Sequence, residues 1–586
     1  MRNWIAAGAL ALAALLPAAA AADAVAELHA LFDAEWERGL REDPESATYL
    51  GDARYNDRWP DLRLEAIAAR HEADRAALAK LRAIDRAALP PAEQLNYDLF
   101  ERQYADEIEG HRFRRFLVPL NQRGGIQTQD EILEVLRFDG AKAYEDWLAR
   151  LEALPALIAQ TETLMRAGMK EGRMNPRIVM QRVPAQIDKQ LVDDPEQSPF
   201  YKPFLSFPDA IAPAQRAAYA RRARAAIGNG VIPAYRRFRD FFVREYLPAC
   251  AEDVGAWAQP DGADFYAHRT SVFTTTPLTP DEIHEIGQRE VKRIRDEMDA
   301  IIEQVGFEGG FDAFVEFLRT DPRFYYETGD ALLDAYRALA KRVDPELPRL
   351  FKTIPRLPYG VRPIPDNVAP DTTTAYYLPG AADGTRAGYY YVNLYRPETR
   401  PKYEMEALTL HEAMPGHHFQ LARAQELGEL PEFRRHGRFT AYVEGWGLYA
   451  ESLGEELGLY ADPYSKFGAL TYEMWRAVRL VVDTGMHHRK WTRDQAIAFF
   501  KANAAKSEHD IVNEIDRYIA WPGQALAYKI GQLKIRELRT RAEHALGERF
   551  DVREFHDVVL GAGAIPLDIL ERRVDAWVRK RASAMP

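Results

Sequence analysis

The stretch Glu404-Met405-Glu406-Ala407-Leu408-Thr409-Leu410-His411-Glu412-Ala413-Met414-Pro415-Gly416-His417-His418-Phe419-Gln420-Leu421-Ala422-Arg423-Ala424 sets the frame for reading the chain. Its first seven residues read as a helix running into His411, and Phe419–Ala424 reads as a second helix leaving His418. Between them Pro415 removes a helical hydrogen bond and Gly416 opens unusual dihedrals, so a helix bulges or restarts there. Three of the chain's fourteen histidines fall within these eight residues, 411–418. In the usual H-E-x-x-H zinc motif, two histidines four apart share one helical face, and the glutamate between them serves as general base. Here position 415 is proline. On an unbroken helix His417 would sit about 600° round from His411, and His418 would return to the same face roughly 10 Å along the axis. Neither could share an ion with His411. With a break at Pro415-Gly416, a two-residue insertion brings His417 to the place of the second histidine. His417 is therefore the preferred ligand, with His418 as its rival.

A third ligand leaves one zinc position open for water. Downstream, Phe439-Thr440-Ala441-Tyr442-Val443-Glu444-Gly445-Trp446-Gly447-Leu448-Tyr449-Ala450-Glu451-Ser452 places Glu444 33 residues after His411, room for one helix, a turn and a second helix packed back. Glu444 is flanked by apolar residues, and a divalent metal is a good partner for an inward carboxylate. Glu451, seven residues on, falls near the same face and could orient a histidine. One zinc ion per chain is the expected cofactor.

These motifs, with the segments around 476–487 and 517–531, resemble a widespread bacterial family long carried as a domain of unknown function, over most of the mature chain. That family is in turn similar, distantly, to the helical gluzincin peptidases that include angiotensin-converting enzyme and the thimet-type oligopeptidases. The resemblance implies His411, His417 (or His418) and Glu444 as zinc ligands and Glu412 as base. It also implies a mainly α, zincin-like fold enclosing a cleft, and short peptides as substrates.

The rest of the chain fits a helical protein. Residues 24–40, 62–87, 91–108, 140–168, 210–245, 280–305 and 329–343 carry apolar residues at three- and four-residue spacing. Thr279-Pro280-Asp281-Glu282 and Thr492-Arg493-Asp494-Gln495 read as helix starts. From about 354 to 400 Pro355, Pro358, Pro363, Pro365 and Pro370 exclude long helices, and Ala375–Leu378 and Gly388–Leu394 read as two short strands joined by a turn at Gly380–Gly384. A small sheet thus precedes the metal motif. Three regions are expected: a signal peptide at 1–22, a helical region at 23–270, and a helical catalytic region at 271–586.

The signal peptide is read from the basic Met1-Arg2-Asn3, the apolar Trp4–Leu16 and the small residues Ala18–Ala22. The apolar run is short for a membrane span, and no cysteine follows it for a lipid anchor. The expected location is periplasmic or secreted, without membrane insertion after cleavage. Cys250 is the single cysteine, so no internal disulfide forms, and packing is its expected role. The net charge of −12 disfavours a nucleic-acid partner, because phosphate binding wants a clustered basic surface.

A helper for the developing oxyanion is sought among Tyr518, Tyr528, His487 and His488, with Tyr528 preferred. Arg476, Arg479, Arg517 and Lys529 are candidates for holding substrate, and the strand containing Tyr390 for pairing with an extended peptide. Two other functions stay open: a metal-dependent amidase acting on non-peptide or cell-wall amides, and a non-catalytic exported metal-binding protein.

Overall fold

The computed structural model of the chain describes residues 4–583 apart from 367–368, 372 and 382–383, with side chains from residue 22 onward except at 371. Met1–Asn3, the side chains of the expected signal peptide through residue 21, and two residues of the expected 380–384 turn lie outside the described residues. The chain forms two compact units. The first is Met1–Phe265 with Pro431–Phe433, and the second is Tyr266–Leu430 with Arg434–Pro586.

The regular elements of the first unit, among its described residues, are helices joined by loops, with one isolated bridge between Asn121 and Gly124. Periodicity in its sequence becomes the helices Leu64–Ala83, Pro91–His111 and Ala141–Glu171, the last burying Trp147, Leu148, Leu151 and Leu154 on one stripe. The expected 210–245 helix is a near-continuous rod. Two single π-turns, Ile227–Val231 and Phe242–Tyr246, interrupt it, each just before a proline, Pro233 and Pro248. Proline lacks an N–H, and a wider turn ahead of it accommodates the missing bond. Cys250 is buried with its thiol pushed up to about 12 by desolvation, the setting of a packing residue.

The second unit carries the elements that build the site, labelled here in chain order. Helix α1 (Pro280–Gln304) opens with a capping box in which Glu282 N–H donates to the Thr279 hydroxyl and the Glu282 carboxylate accepts from Thr279 N–H. Three strands follow, β1 (Tyr359–Pro363), β2 (Ala375–Leu378) and β3 (Gly388–Val392), in the order β1-β3-β2. The chain then forms α2 (Met405–Glu412), α3 (His417–Gln425), α4 (Thr440–Ser452), α5 (Pro463–His487), α6 (Glu508–Ala520) and α7 (Ala527–Leu546). Among the described residues, no helix is long and apolar enough to cross a membrane.

The parallel strand β1 is an element that the prolines around it concealed. It ends at Pro363 on the sheet's edge, a position where a missing N–H is tolerated. The arrangement also corrects the idea of peptide pairing on the Tyr390 strand. That strand is β3, whose two edges are already bonded to β1 and β2.

Helix α5 is the unit's inner rod. From Arg476 to His487 every residue is buried, so its sequence is apolar nearly all round. Its charged members Arg476, Arg479 and Asp483 therefore each require a partner. Helix α1 packs along it, with Gly287 so close that a Cβ there would stand 2.7 Å from Leu480 Cβ.

Candidate metal centre

Helix α2 stops at Glu412. Ala413 leaves helical dihedrals (φ −102°, ψ −118°), Gly416 is again non-helical, and α3 restarts at His417. Gly416 fills this break because any Cβ would meet His411 O at 2.0 Å and Leu410 O at 2.3 Å. The indole N–H of Trp446 on α4 donates to Pro415 O at 2.8 Å and ties the interruption to the helix that carries Glu444.

The restart turns His417 toward His411. Their rings meet edge to face with centroids 4.6 Å apart. His411 Nε2 lies 3.7 Å and His417 Nε2 3.6 Å from the same Glu444 oxygen. One donor atom from each of the three residues lies within 4.8 Å of the others. Separations of 3.6–3.7 Å are too long for hydrogen bonds. They are close to the roughly 3.4 Å between ligand atoms of a tetrahedral ion with 2.0–2.1 Å bonds. The residues fit a zinc ion in both chemistry and spacing.

The groups behind the donors fit as well. His411 Nδ1 donates to Glu451 Oε1 at 2.7 Å, so the neutral imidazole would present its Nε2 lone pair to the cluster. The ring lies against Gly447, where a Cβ would stand 2.7 Å from His411 Cε1. Burial alone would lower the His411 pKa, but Glu444 and Glu451 raise it to about 9. Burial alone would raise that of Glu444, but the two imidazoles hold it well below the usual carboxylate range.

His418 does not enter the cluster. It is fully buried on the other side of α3, hydrogen-bonded through Nδ1 to the Tyr377 hydroxyl at 2.8 Å and packed on Tyr359. Desolvation lowers its pKa to about 4, so it is a neutral tie between α3 and the sheet.

Tyr528, on the first turn of α7, does reach the site. Helices α4 and α7 cross glycine on glycine, a Cβ at Gly445 standing 2.5 Å from Gly531 Cα. This puts Tyr528, one turn before Gly531, beside Glu444, the residue before Gly445. Burial, and then the Glu444 charge, raise the Tyr528 hydroxyl above its ordinary pKa. The other proposed helpers are elsewhere. His487 Nε2 donates to Tyr518 O at 3.0 Å, and His488 pairs with Asp281 at 3.1 Å near the surface.

The candidate substrate-binding residues divide. Tyr390 is fully buried in the central strand with its ring edge-on to Tyr336, a core position with no face for substrate. Lys529 is likewise 0% exposed and bonded to Glu473, Glu290 and Gln532. Arg476 lies 3.7 Å from Glu451 and supports the carboxylate behind His411. Arg479 and Arg517 both pair with Glu514, at 3.0 and 2.8 Å. Glu514 and Trp475 are parts of this arrangement that the sequence reading missed. Glu514 sits one helical turn before Arg517 and Tyr518, the spacing that could have found it.

Residues 44–574 match the bacterial protein family of unknown function DUF885. A candidate lipoprotein from Colwellia psychrerythraea is 30% identical, with a TM-score of 0.86 over 94% of this chain and 99% of that one. A candidate lipoprotein of unknown function from Shewanella oneidensis shares the fold at 18% identity, with a TM-score of 0.73 over 92% of this chain and 98% of that one. No curated protein matches the chain. With the family matched along nearly its whole length, this protein belongs to the bacterial family DUF885.

Proposed function

We propose that this protein is an exported zinc metallopeptidase that hydrolyses short peptides, with Glu412 as general base. The observation that carries the reading is the convergence of His411, His417 and Glu444 on one centre at ligand spacing, with Glu412 next to the first ligand. A metal held for structure alone has no need of that adjacent carboxylate. The distant resemblance to helical zinc peptidases supports the same reading.

A zinc ion at this centre would supply Lewis-acid chemistry, polarising a carbonyl and making water acidic near neutral pH. The chain's own residues do the rest. Glu451 fixes the His411 tautomer by accepting from Nδ1. Glu412 accepts a proton at its carboxylate from the attacking water and returns it to the leaving nitrogen. The Tyr528 hydroxyl, held protonated, donates toward the oxygen on which negative charge develops. The description of the Colwellia relative as a candidate lipoprotein supports export of this chain too, to the periplasm or beyond.

The test is metal quantification on the purified mature chain, with a short-peptide library assayed beside Glu412→Gln. We expect one zinc per chain in both proteins and turnover reduced by about 10²–10⁴ in the variant. Zinc bound but no peptide hydrolysed by the native protein would overturn the peptidase reading.

A further inference from the structure

Beside the metal centre lies a second buried group whose donors and acceptors do not balance. Arg479, on α5, and Arg517, on α6, share the single carboxylate of Glu514. Arg479 Nε donates to the Tyr518 hydroxyl at 2.8 Å, and that hydroxyl donates on to Glu514. Arg517 is completed by Gln524 at 2.7 Å. The two guanidiniums hold one carboxylate between them, while the nearby Asp483 accepts from Tyr266 O–H and Gly523 N–H instead. Arg479 is 4% exposed, and its Nη1 has no hydrogen-bond partner among the described residues. A buried, charged N–H without an acceptor is costly, so an acceptor belongs there.

The surroundings say what kind of acceptor. The Arg479 guanidinium stacks between aromatic faces, 4.7 Å from the Trp475 ring and 4.5 Å from that of Tyr528. Trp475, Glu514, Gln524 and Tyr528 are the members of the group still partly open to solvent. Tyr528 is also the residue that the Gly445–Gly531 crossing sets beside Glu444. One aromatic side chain therefore separates the unmatched donor from the metal ligands. A planar, aromatic-flanked guanidinium fork matches a carboxylate in both shape and charge.

We propose that Arg479, backed by Arg517, binds a carboxylate of the substrate one residue's reach from the bond hydrolysed at the metal centre, the aromatic rings of Trp475 and Tyr528 forming the walls of that subsite. The inference rests on the peptidase reading and adds to it a selection for anionic peptides. The carboxylate is that of the chain terminus or of an acidic side chain, and the two sources separate in experiment.

Zinc-loaded Glu412→Gln protein serves as a binding form without turnover. Peptides of one sequence are titrated into it by calorimetry in three forms: free C-terminal acid, C-terminal amide, and amide with an added glutamate beside the expected scissile bond. We expect one carboxylate form to bind about tenfold or more tightly than the plain amide, as a charge-assisted bond implies. Preference for the free acid assigns the subsite to the chain terminus, and preference for the glutamyl amide assigns it to a side chain. Adding Arg479→Met should abolish the preference, and Arg479→Lys should restore only part of it. Glu514 keeps Arg517 in these variants, which favours their folding. Glu514→Gln, which removes the competing carboxylate while keeping both guanidiniums, should widen the preference and serves if Arg479→Met does not fold. Equal binding of all three forms, or a preference that survives Arg479→Met, overturns the proposal. The peptidase reading fails separately, if native zinc-loaded protein hydrolyses none of the peptides.

Discussion

Helix α7 offers consecutive residues to two buried ionic clusters that solve the same problem differently. Tyr528 stands at the metal centre, while Lys529, about 100° round the helix, enters a closed network. The Lys529 ammonium donates to Glu473 at 2.6 Å, Gln532 at 2.7 Å and Glu290 at 2.9 Å. Arg293 supplies a second cation to the same two carboxylates. Arg293 also bonds Glu297 at 2.6 Å, so both cations are matched by carboxylates, and every ammonium proton has an acceptor. At the metal centre two imidazoles and one carboxylate face a common point at distances too long to bond one another. The closed cluster reads as architecture and the open one as chemistry. Burial and charge alone do not separate them, but the balance of donors and acceptors does.

The comparison breaks most clearly on loss of a ligand against loss of the closed cluster's cation. His417→Ala should take zinc from about one per chain to near none and abolish turnover, while shifting metal-free stability by no more than about 1–2 kcal/mol. Lys529→Met should do the reverse. Unpaired Glu473 and Glu290 would cost about 3–5 kcal/mol of folding stability, with zinc stoichiometry unchanged in the folded fraction. Denaturant unfolding and atomic emission on the two variants measure both quantities. If Lys529→Met retained full stability but lost zinc, the division would be wrong.

These two residues also show where sequence reading reached and where it stopped. Helix starts at Thr279 and Thr492 were legible because capping is local, three residues reading one another. The strands at 375 and 388 were legible from aromatic runs, whereas β1 was hidden because its pairing with β3 is non-local and its prolines read as breaks. The break at Pro415-Gly416 was legible, but the choice between His417 and His418 depends on how far the chain turns before α3 begins. That turn is set by Trp446 bonding Pro415 and by Tyr377 receiving His418, contacts 31 and 41 residues distant. Lys529 looked like a substrate-binding cation because its partners Glu290 and Glu473 come from two other helices. A charge's role is fixed by what faces it, and facing is tertiary.

A smaller effect tests the link behind the open cluster. Glu451 accepts from His411 Nδ1 and does not itself approach the centre. Glu451→Gln keeps the shape and removes the charge, so zinc affinity should fall by about 10–100-fold while stoichiometry at saturating zinc holds. Competition with a fluorescent chelator gives the affinity. An unchanged value would reduce Glu451 to packing and shift the orienting role to Gly447 and the walls of the site.

A further effect is in pH, and it separates the clusters without mutation. In the metal-free protein His411 is raised from 6.5 to about 9, burial being outweighed by Glu444 and Glu451. The stability contributed by its protonated form is fully present below about 6.5 and is lost as pH rises through about 9. Zinc binds only the neutral imidazole, so the proton competes with it across that window. Zinc affinity should therefore rise between about pH 6.5 and 9, by at most tenfold per unit because His411 gives up one proton. The closed cluster is silent there. Burial would raise Glu473, but Lys529 and Arg293 lower it from 4.5 to about 2. Its contribution is present above pH 4.5 and is lost only as pH falls toward 2. Zinc affinity measured from pH 6 to 9, with metal-free unfolding measured from pH 2 to 9, should thus titrate in separate windows. Affinity flat across the upper window would remove His411 from the ligand set, because a ligand that holds a proton to pH 9 cannot bind zinc without giving it up.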